Sequence, residues 1–371
     1  MASVEVLQVS TSTGDVQIPS TPSPEDPASL LVAEQSSLTI VETTVTVEEL
    51  PSGVPRTIYD ETDTALLLGP TGSETIMVNR QGLKLKRYFW AAPSNTAKCT
   101  LLFVHGHGAH QCFELLNYQG PGLPPTYQGS WVQSLNNGGI NVVGIDNQGC
   151  GRSEGFNGLR FYVDSFDDYV TDVLQVAESV STDLASSKPL PLFIAGVSLG
   201  GCITFFAVQR RPELFAGALL LAPMLSLERA SRKGLNPIMR PLASIFSRII
   251  PTAPIIATDR NSLYPNIQAM WDADPLTMHI KTRVRNAHEY LRATEMAMAS
   301  LEDIDLPLLL VHSENDTMTD AEGSKQLYLK AKSGDKTLRL VNSFWHVLLK
   351  EPSNEKILAM MTEWILARVD K

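Results

Sequence analysis

Short apolar runs alternate with amphipathic segments of helical period along most of the chain. Eight runs have the length and apolar character of strands: 75–79, 83–91, 100–104, 140–145, 190–195, 217–221, 306–311 and 337–341. Helical patterns lie among them at 165–180, 199–210, 321–331 and 355–368. This alternation predicts an α/β protein with a mostly parallel, doubly wound sheet of eight strands, opened by a hairpin around Gln81-Gly82.

One interval breaks the alternation. Residues 224–300, between the sixth and seventh strands, are predicted to form a helical cap inserted over the site. Within it, residues 235–250 carry an apolar stripe of helical period (Leu235, Ile238, Met239, Leu242, Ile245, Phe246, Ile249 and Ile250). The stripe of this predicted helix either packs on the domain below or faces a membrane or an acyl chain.

Charge separates the chain into two parts. Residues 1–55 contain eight acids and no Lys or Arg, whereas the remainder has 32 acids against 30 bases. The first part, rich in Ser, Thr and Pro, is predicted to be a disordered extension, and residues 56–371 a single domain. A near-neutral domain without a basic stripe argues against a nucleic-acid partner.

Compartment and membrane signals are few. Cys99, Cys112, Cys150 and Cys202 fit no C-x-x-C spacing and are interpreted as thiols. No secretory signal and no apolar run of eighteen residues is present, so we expect a cytoplasmic protein. Contact with a membrane or lipid-droplet surface would then be peripheral, through the cap.

The segment Gly196-Val197-Ser198-Leu199-Gly200 matches G-x-S-x-G and lies between an apolar strand and an apolar helix. In such an elbow the chain turns so sharply that only glycine fits beside the serine, whose hydroxyl is left exposed. The bare pattern is weak, but its placement makes Ser198 the candidate nucleophile.

A serine nucleophile needs a general base and an acid that orients the base, and in this architecture they follow the serine in the order Asp or Glu, then His. His346 is the histidine that follows the last strand. The segment after the seventh strand supplies Asp316 as the candidate acid, with Glu314 and Asp320 as competitors.

The negative charge that develops on the carbonyl oxygen during acyl transfer needs preorganised N–H donors. Leu199, directly after the nucleophile, supplies one backbone N–H, and His107 in the glycine-containing loop after the third strand supplies the second. The imidazole of His107 either packs at the pocket wall or contacts substrate. His105, His107 and His110 also share the H-x-H-x-x-H spacing of some metallohydrolases, but Ala109 stands where such sites have an aspartate ligand. No metal and no cofactor is expected.

Taken together, residues 56–369 resemble the monoglyceride lipase and lysophospholipase group of serine α/β-hydrolases. The matching segments are 105–110, 146–155, 196–201, Asp274-Pro275-Leu276, 316–320 and Trp345-His346. The resemblance implies the α/β-hydrolase fold, a triad of Ser198, Asp316 and His346, and oxyanion donors at His107 and Leu199. Departures are Cys150, where the group usually has histidine, His107, often smaller or apolar there, and a longer stretch at 111–129.

These observations predict a serine hydrolase of lipid monoesters, with monoacylglycerol as the leading substrate. Six of eleven methionines fall between 224 and 300, which suits a pliable apolar wall for acyl chains. Lysophospholipids or phenolic esters of the caffeoylshikimate type are alternative substrates. An acyltransferase is disfavoured because no His has an Asp five residues later. A ligand receptor on a retained hydrolase fold is the alternative from another class.

Overall fold

The computed structural model describes residues 64–93, 96–183, 190–228, 242–257 and 259–369, all within the compact unit Val47–Lys371. The predicted extension, residues 1–55, lies outside them. The strands of the described chain are β1 Gly72–Val78, β2 Lys84–Trp90, β3 Cys99–Val104, β4 Ile140–Ile145, β5 Leu192–Val197, β6 Gly217–Leu221, β7 Pro254–Ile256, β8 Thr282–Arg283, β9 Leu308–Ser313 and β10 Lys336–Val341.

Eight of these strands form one sheet in the order β1-β2-β4-β3-β5-β6-β9-β10. The hairpin β1–β2 and the pair β2–β4 are antiparallel, and the other neighbours are parallel. The central strands are buried at every position, as expected when helices cover both faces. The predicted α/β-hydrolase fold with an eight-stranded, mostly parallel sheet is confirmed.

The helices are α1 Thr64–Leu68, α2 Gln111–Leu115, α3 Trp131–Asn137, α4 Phe166–Asp183, α5 Leu199–Arg210, α6 Ala243–Ile249, α7 Pro265–Ala273, α8 Val284–Ala299, α9 Ala321–Lys330 and α10 Asn354–Leu366. The helices pack on the sheet through two apolar cores, one on each face. Residues of α4, α5 and α8 pack on one face of the sheet, and residues of α3 and α10 pack on the other. The doubly wound arrangement follows, because each face buries its own set of alternate strand side chains.

Each predicted strand, and each predicted helix outside the cap, begins and ends within three residues of the observed one. The helix α5 has the predicted bounds, and it ends where Pro212 disfavours helical geometry in the residue before it. The seventh strand begins and ends two residues later than predicted, which makes His312 and Ser313 its last residues. Parallel strands deliver their carboxyl ends to one edge, so the loops after β3, β5, β9 and β10 converge there.

The interval between β6 and β9 contains α6, α7 and α8 and the small two-stranded sheet β7–β8. Of the predicted helix 235–250, residues 235–241 lie outside the described residues and α6 spans Ala243–Ile249. The part of the apolar stripe that the structure describes is largely exposed, with Phe246 half-buried. Ile245 is 51% exposed and Ile249 70%, whereas Ser247, predicted on the polar side, is buried. In the described parts of the chain, no helix has the length and apolarity that crossing a bilayer requires.

Candidate active site

Ser198 stands at the tip of a sharp turn between β5 and α5, with φ 54° and ψ −116°. A side chain on Gly196 would place its Cβ 2.2 Å from the carbonyl oxygen of Gly200, and one on Gly200 would place its Cβ 2.1 Å from the carbonyl oxygen of Val104. Both glycines are therefore required by close backbone approach. The turn presents the Ser198 side chain at the carboxyl edge of the sheet, as the G-x-S-x-G pattern predicts.

The three residues selected from the sequence lie in hydrogen-bond reach of one another. His346 Nε2 is 3.1 Å from Ser198 Oγ, and His346 Nδ1 is 2.7 Å from Asp316 Oδ2. The loops after β5, β9 and β10 thus bring together a hydroxyl, an imidazole and a carboxylate that are far apart in the chain. This line of contacts has the geometry of a nucleophile, its general base and an orienting acid.

Asp316 is fully buried and surrounded by donors. Its Oδ1 accepts hydrogen bonds from the backbone N–H groups of Met318 and Thr319, at 2.7 and 2.9 Å, and its Oδ2 accepts one from the Thr319 hydroxyl at 3.0 Å. Burial alone would raise the pKa of this carboxyl, but the charge of His346 and hydrogen bonds with the His312 and His346 side chains and the Thr319 N–H outweigh burial and hold the pKa well below its usual range. Asp316 is therefore ionised at neutral pH.

The competing acids have other surroundings. Glu314 is exposed and lies 3.8 Å from the Lys325 ammonium. Asp320 is buried, and its Oδ2 accepts a hydrogen bond from the Ser226 hydroxyl. The His346 imidazole lies 2.7 Å from Asp316, so Asp316 is the acid that the fold brings to the imidazole.

Glu351 holds the loop that carries His346. Its fully buried carboxylate accepts backbone hydrogen bonds from Trp345 at 2.5 Å, His346 at 2.9 Å and Val347 at 2.7 Å. Three successive N–H groups that would otherwise be buried without an acceptor are satisfied by one side chain. Glu351 therefore fixes the backbone from which the imidazole projects.

The charges around His346 favour its protonated form. Burial alone would lower the pKa of the imidazole, but Asp316 outweighs burial, with smaller contributions from Glu351 and Glu114, and the pKa is raised above its usual value. A base whose pKa lies closer to neutral accepts a proton from a serine more readily.

The two candidate oxyanion donors are the backbone N–H groups of His107 and Leu199. Within the described residues neither N–H has a hydrogen-bond partner, and Leu199 begins α5, where first-turn N–H groups are free. The His107 imidazole is held from the cap side: Nε2 lies 2.9 Å from the Thr282 hydroxyl and Nδ1 lies 2.9 Å from the Tyr290 hydroxyl. Burial lowers the pKa of His107 to about 4, so the ring is neutral and both of its nitrogens are engaged by the protein.

The other two histidines of the H-x-H-x-x-H segment turn to different partners. His105 Nε2 accepts a hydrogen bond from the backbone N–H of Asn147, and His110 Nε2 lies 3.0 Å from Asp274. In the chain as described, no group of three or more His, Cys, Asp or Glu side chains could hold a metal ion. The His110–Asp274 contact ties the loop after β3 to the cap.

The four cysteines are free thiols, and all are buried. Cys150 packs with Phe161 and Met278. At this position the monoglyceride lipase and lysophospholipase group usually has histidine. Burial raises the pKa of Cys150 to about 12, so its thiol is protonated and unreactive at neutral pH.

A cavity of about 370 Å³ opens over Ser198 and His346. Its apolar walls come from the elements around the site and from the cap: Ala109, Phe113, Val197, Ile267, Trp271, Met278, Ile280, Met318, Trp345 and Val347. Such a volume is in the range of small-molecule sites, and an apolar lining suits an acyl chain.

Sequence reasoning missed two acidic residues of this region, Glu351 and Glu114. Glu114 is buried, lines the cavity and accepts a hydrogen bond from the backbone N–H of Gly106 through Oε1. Glu114 is a lone acid inside the apolar run Cys112-Phe113-Glu114-Leu115-Leu116, a signal that could have drawn attention to it. Glu351 lies between Lys350 and Pro352 and carries no such signal.

The fold and the arrangement at its carboxyl edge define a hydrolase of the α/β-hydrolase class. Residues 126–353, more than half of the chain, match the family described as Serine aminopeptidase, S33. The chain belongs to this family, and it is a carboxylic ester hydrolase of the monoglyceride lipase group.

Three known proteins illustrate the likeness. The monoglyceride lipase of Rattus norvegicus is 27% identical over 299 residues, which cover 79% of this chain and 90% of that protein. The caffeoylshikimate esterase of Arabidopsis thaliana is 28% identical over 256 residues, covering 65% and 75%. The crystal structure of a soluble variant of the Saccharomyces cerevisiae monoglyceride lipase, in complex with a substrate analog, superposes with a TM-score of 0.67 at 18% identity, over 81% of this chain and 96% of that one. This structural likeness supports the fold.

Proposed function

We propose that the protein hydrolyses lipid monoesters, with monoacylglycerol as the leading substrate, to a free fatty acid and an alcohol. The observation that carries the proposal is the hydrogen-bonded line from Ser198 through His346 to Asp316 at the base of an apolar cavity. The relatedness to monoglyceride lipases supports the same substrate class.

In the acylation half of the reaction, the Ser198 oxygen attacks the ester carbonyl carbon while His346 Nε2 takes the hydroxyl proton. The buried Asp316 carboxylate accepts a hydrogen bond from His346 Nδ1–H and stabilises the imidazolium that forms. The carbonyl oxygen becomes negative and is met by the N–H groups of His107 and Leu199. Collapse of this intermediate breaks the ester bond, and His346 gives its proton to the leaving alcohol oxygen.

In the deacylation half, a water molecule attacks the acyl-Ser198 ester. His346 takes a proton from this water, the same N–H groups of His107 and Leu199 receive the negative charge, and the proton then returns to Ser198 as the fatty acid leaves. The apolar cavity holds the acyl chain through both halves of the reaction. Every proton and nucleophile in these steps comes from Ser198, His346 or water.

Fatty-acid release from a micellar monoacylglycerol tests the proposal, with wild type and Ser198→Ala compared in the presence and absence of a metal chelator. We expect chelator-resistant release by wild type that Ser198→Ala abolishes. Release that survives Ser198→Ala, or that the chelator alone stops, would refute the serine mechanism. An inactive wild type would favour a different ester as substrate or a receptor function on this fold.

Lysophospholipids and phenolic esters are the competing substrates, and the similarity to a caffeoylshikimate esterase keeps the second of these in view. Ranking kcat/KM over a monoacylglycerol, a lysophosphatidylcholine and a caffeoyl ester decides among them. The monoacylglycerol is expected to have the highest value because the walls of the cavity are mainly apolar.

Peripheral contact with a lipid surface through α6 is a second part of the proposal. Leu242, Ile245, Ile249 and Ile250 are each at least 40% exposed on and next to this helix of the cap. An exposed apolar stripe on a helix that spans no bilayer is typical of interfacial binding. The double variant Ile245→Ser with Phe246→Ser should lose more activity on vesicle-borne lipid than on a soluble short-chain ester. Equal losses on both would remove the proposal.

A further inference from the structure

Glu114 is a buried carboxyl in the wall of the catalytic cavity that the triad does not use. It is 6% exposed, and its Oε1 accepts the Gly106 N–H at 3.1 Å. Among the residues that the structure describes, Oε2 has no hydrogen-bond partner, although the residue lines the cavity. Because Oε2 keeps some exposure at the cavity, it can accept a hydrogen bond from a donor that the ligand brings.

The position of Glu114 relative to Ser198 is set by Gly106. A Cβ added to Gly106 would lie 3.2 Å from Glu114 Oε1 and 3.5 Å from Ser198 Cβ, so the carboxyl and the nucleophile flank the same glycine. Both residues also line the same cavity, so a molecule bound for attack by Ser198 is within reach of the Glu114 side chain.

The chemistry of the ester decides which half of a bound substrate can use Glu114. His346, which must contact the leaving alcohol to give it a proton, lines the same cavity as Glu114 and Ser198. A fatty acyl chain carries no hydrogen-bond donor, whereas a polyol carries free hydroxyl groups. A donor that meets Glu114 Oε2 therefore comes from the alcohol half of the ester.

The charge of Glu114 has a partner. Lys350 interacts electrostatically with Glu114, and its Nζ donates a hydrogen bond to the carbonyl oxygen of Leu116 at 2.6 Å. The same ammonium lies 5.7 Å from the ring centre of Phe113 and 5.3 Å from that of Tyr118. Burial raises the pKa of Glu114, while the Gly106 N–H and the charges of Lys350 and His346 oppose that rise and favour the carboxylate form, in which Oε2 is an acceptor.

We infer that Glu114 is a specificity-determining residue that accepts hydrogen bonds from free hydroxyl groups on the alcohol half of the ester. The ligand class is a monoester of a polyol, such as a glycerol monoester, in contrast to an ester of a simple alkanol. This inference rests on the proposed ester hydrolysis and adds to it the part of the substrate that is recognised.

The test compares two soluble esters with the same acyl chain, monohexanoylglycerol and propyl hexanoate. Glu114→Gln keeps an oxygen for the Gly106 N–H but turns the second position from an acceptor into a donor. We expect it to lower kcat/KM for the glycerol ester about 10- to 100-fold, the range for losing a hydrogen bond to a buried charged group, and to leave the propyl ester nearly unchanged.

Glu289→Gln is the matched control. Glu289 is equally buried and also accepts a backbone N–H, from Phe166 at 3.0 Å, but it does not line the cavity. The ratio of the two kcat/KM values should stay at its wild-type level in this variant. A change as large as that in Glu114→Gln would overturn the inference, because burial of any carboxylate would then explain it.

Equal losses of kcat/KM on both esters in Glu114→Gln would also overturn the inference. Glu114 would then act through the Gly106 loop or on the attacking water. The proposed ester hydrolysis would be unaffected by this outcome. Binding of the glycerol ester to a variant that lacks the nucleophile tests the inference without turnover. Calorimetry of monohexanoylglycerol with Ser198→Ala, and with Ser198→Ala combined with Glu114→Gln, should show about a 10-fold or larger loss of affinity in the double variant. Unchanged affinity refutes alcohol recognition even if wild type proves inactive on both esters.

Discussion

Replacing Glu351 tests how much of the site depends on the loop that carries His346. The carboxylate accepts three backbone N–H groups, two on Oε1 and one on Oε2. In Glu351→Gln an amide N–H₂ replaces one oxygen, so at least one buried N–H loses its acceptor and faces another donor. Such a loss costs about 1–3 kcal/mol. In Glu351→Ala all three N–H groups lose their acceptor, and the cost should be at least about 3 kcal/mol.

The loss of the Glu351 charge should change catalytic activity in a way that can be told apart from a loss of stability. The negative charge of Glu351 contributes to the raised pKa of His346, and the imidazole must be neutral to act as a base. Activity is therefore lost as the pH falls through this pKa. Removing the charge lowers the pKa, so the acidic limb of the kcat/KM profile should move to lower pH in Glu351→Gln. At the same time kcat should fall at the plateau, because the imidazole is less firmly held.

Urea unfolding monitored by tryptophan fluorescence measures the free energy of unfolding. Values of kcat/KM on a soluble ester between about pH 4 and 9 locate the acidic limb of the activity profile. Glu289→Gln serves again as the buried carboxylate away from the cavity. If Glu351→Gln leaves stability within 0.5 kcal/mol of wild type, roughly the level of a neutral surface change, and leaves the acidic limb in place, then Glu351 does not support His346. A shifted limb with an unchanged plateau would show that it acts by charge alone.

Three further outcomes are expected. Tyr290→Phe removes the hydroxyl that holds His107 Nδ1, so kcat should fall about fivefold with KM unchanged in steady-state kinetics. Gly200→Ala forces a Cβ to 2.1 Å from a backbone oxygen and should destabilise the protein by about 3 kcal/mol or more in thermal unfolding. Burial raises the pKa of Asp172 to about 7, so the folded state binds the extra proton, and stability should fall as the pH rises from about 4 to 7. Asp172→Asn should flatten this dependence in denaturant titrations at pH 5 and pH 8.

The sequence was informative where a local pattern and chain order constrain the fold together. Strands buried on both faces appear as continuous apolar runs, which is why the sheet was predictable. The helix α5 was predictable because Ser198 precedes it and Pro212 follows it. His346 and Asp316 could be selected because each follows a parallel strand, and such loops meet at one edge whatever their own sequence. The helical period at 235–250 left two interpretations open, because it shows which side chains share a face and not what covers that face, and on α6 that face is largely exposed.

The supporting residues could not be selected in the same way, because their roles depend on loop geometry that has no period. Glu351 is five residues from His346 and Glu114 is eight from Gly106, yet both turn back to bind backbone N–H groups of the segments they support. His107 was selected for its N–H, while its imidazole reaches Thr282 and Tyr290, about 180 positions further along the chain. Because the buried N–H groups of an irregular loop need acceptors, each reactive loop of this site should carry such an acid or cap contact. In this chain the loop of His346 has Glu351 and the loop of His107 has both Glu114 and the cap, so substitutions at these supports should alter catalysis without touching the proposed triad.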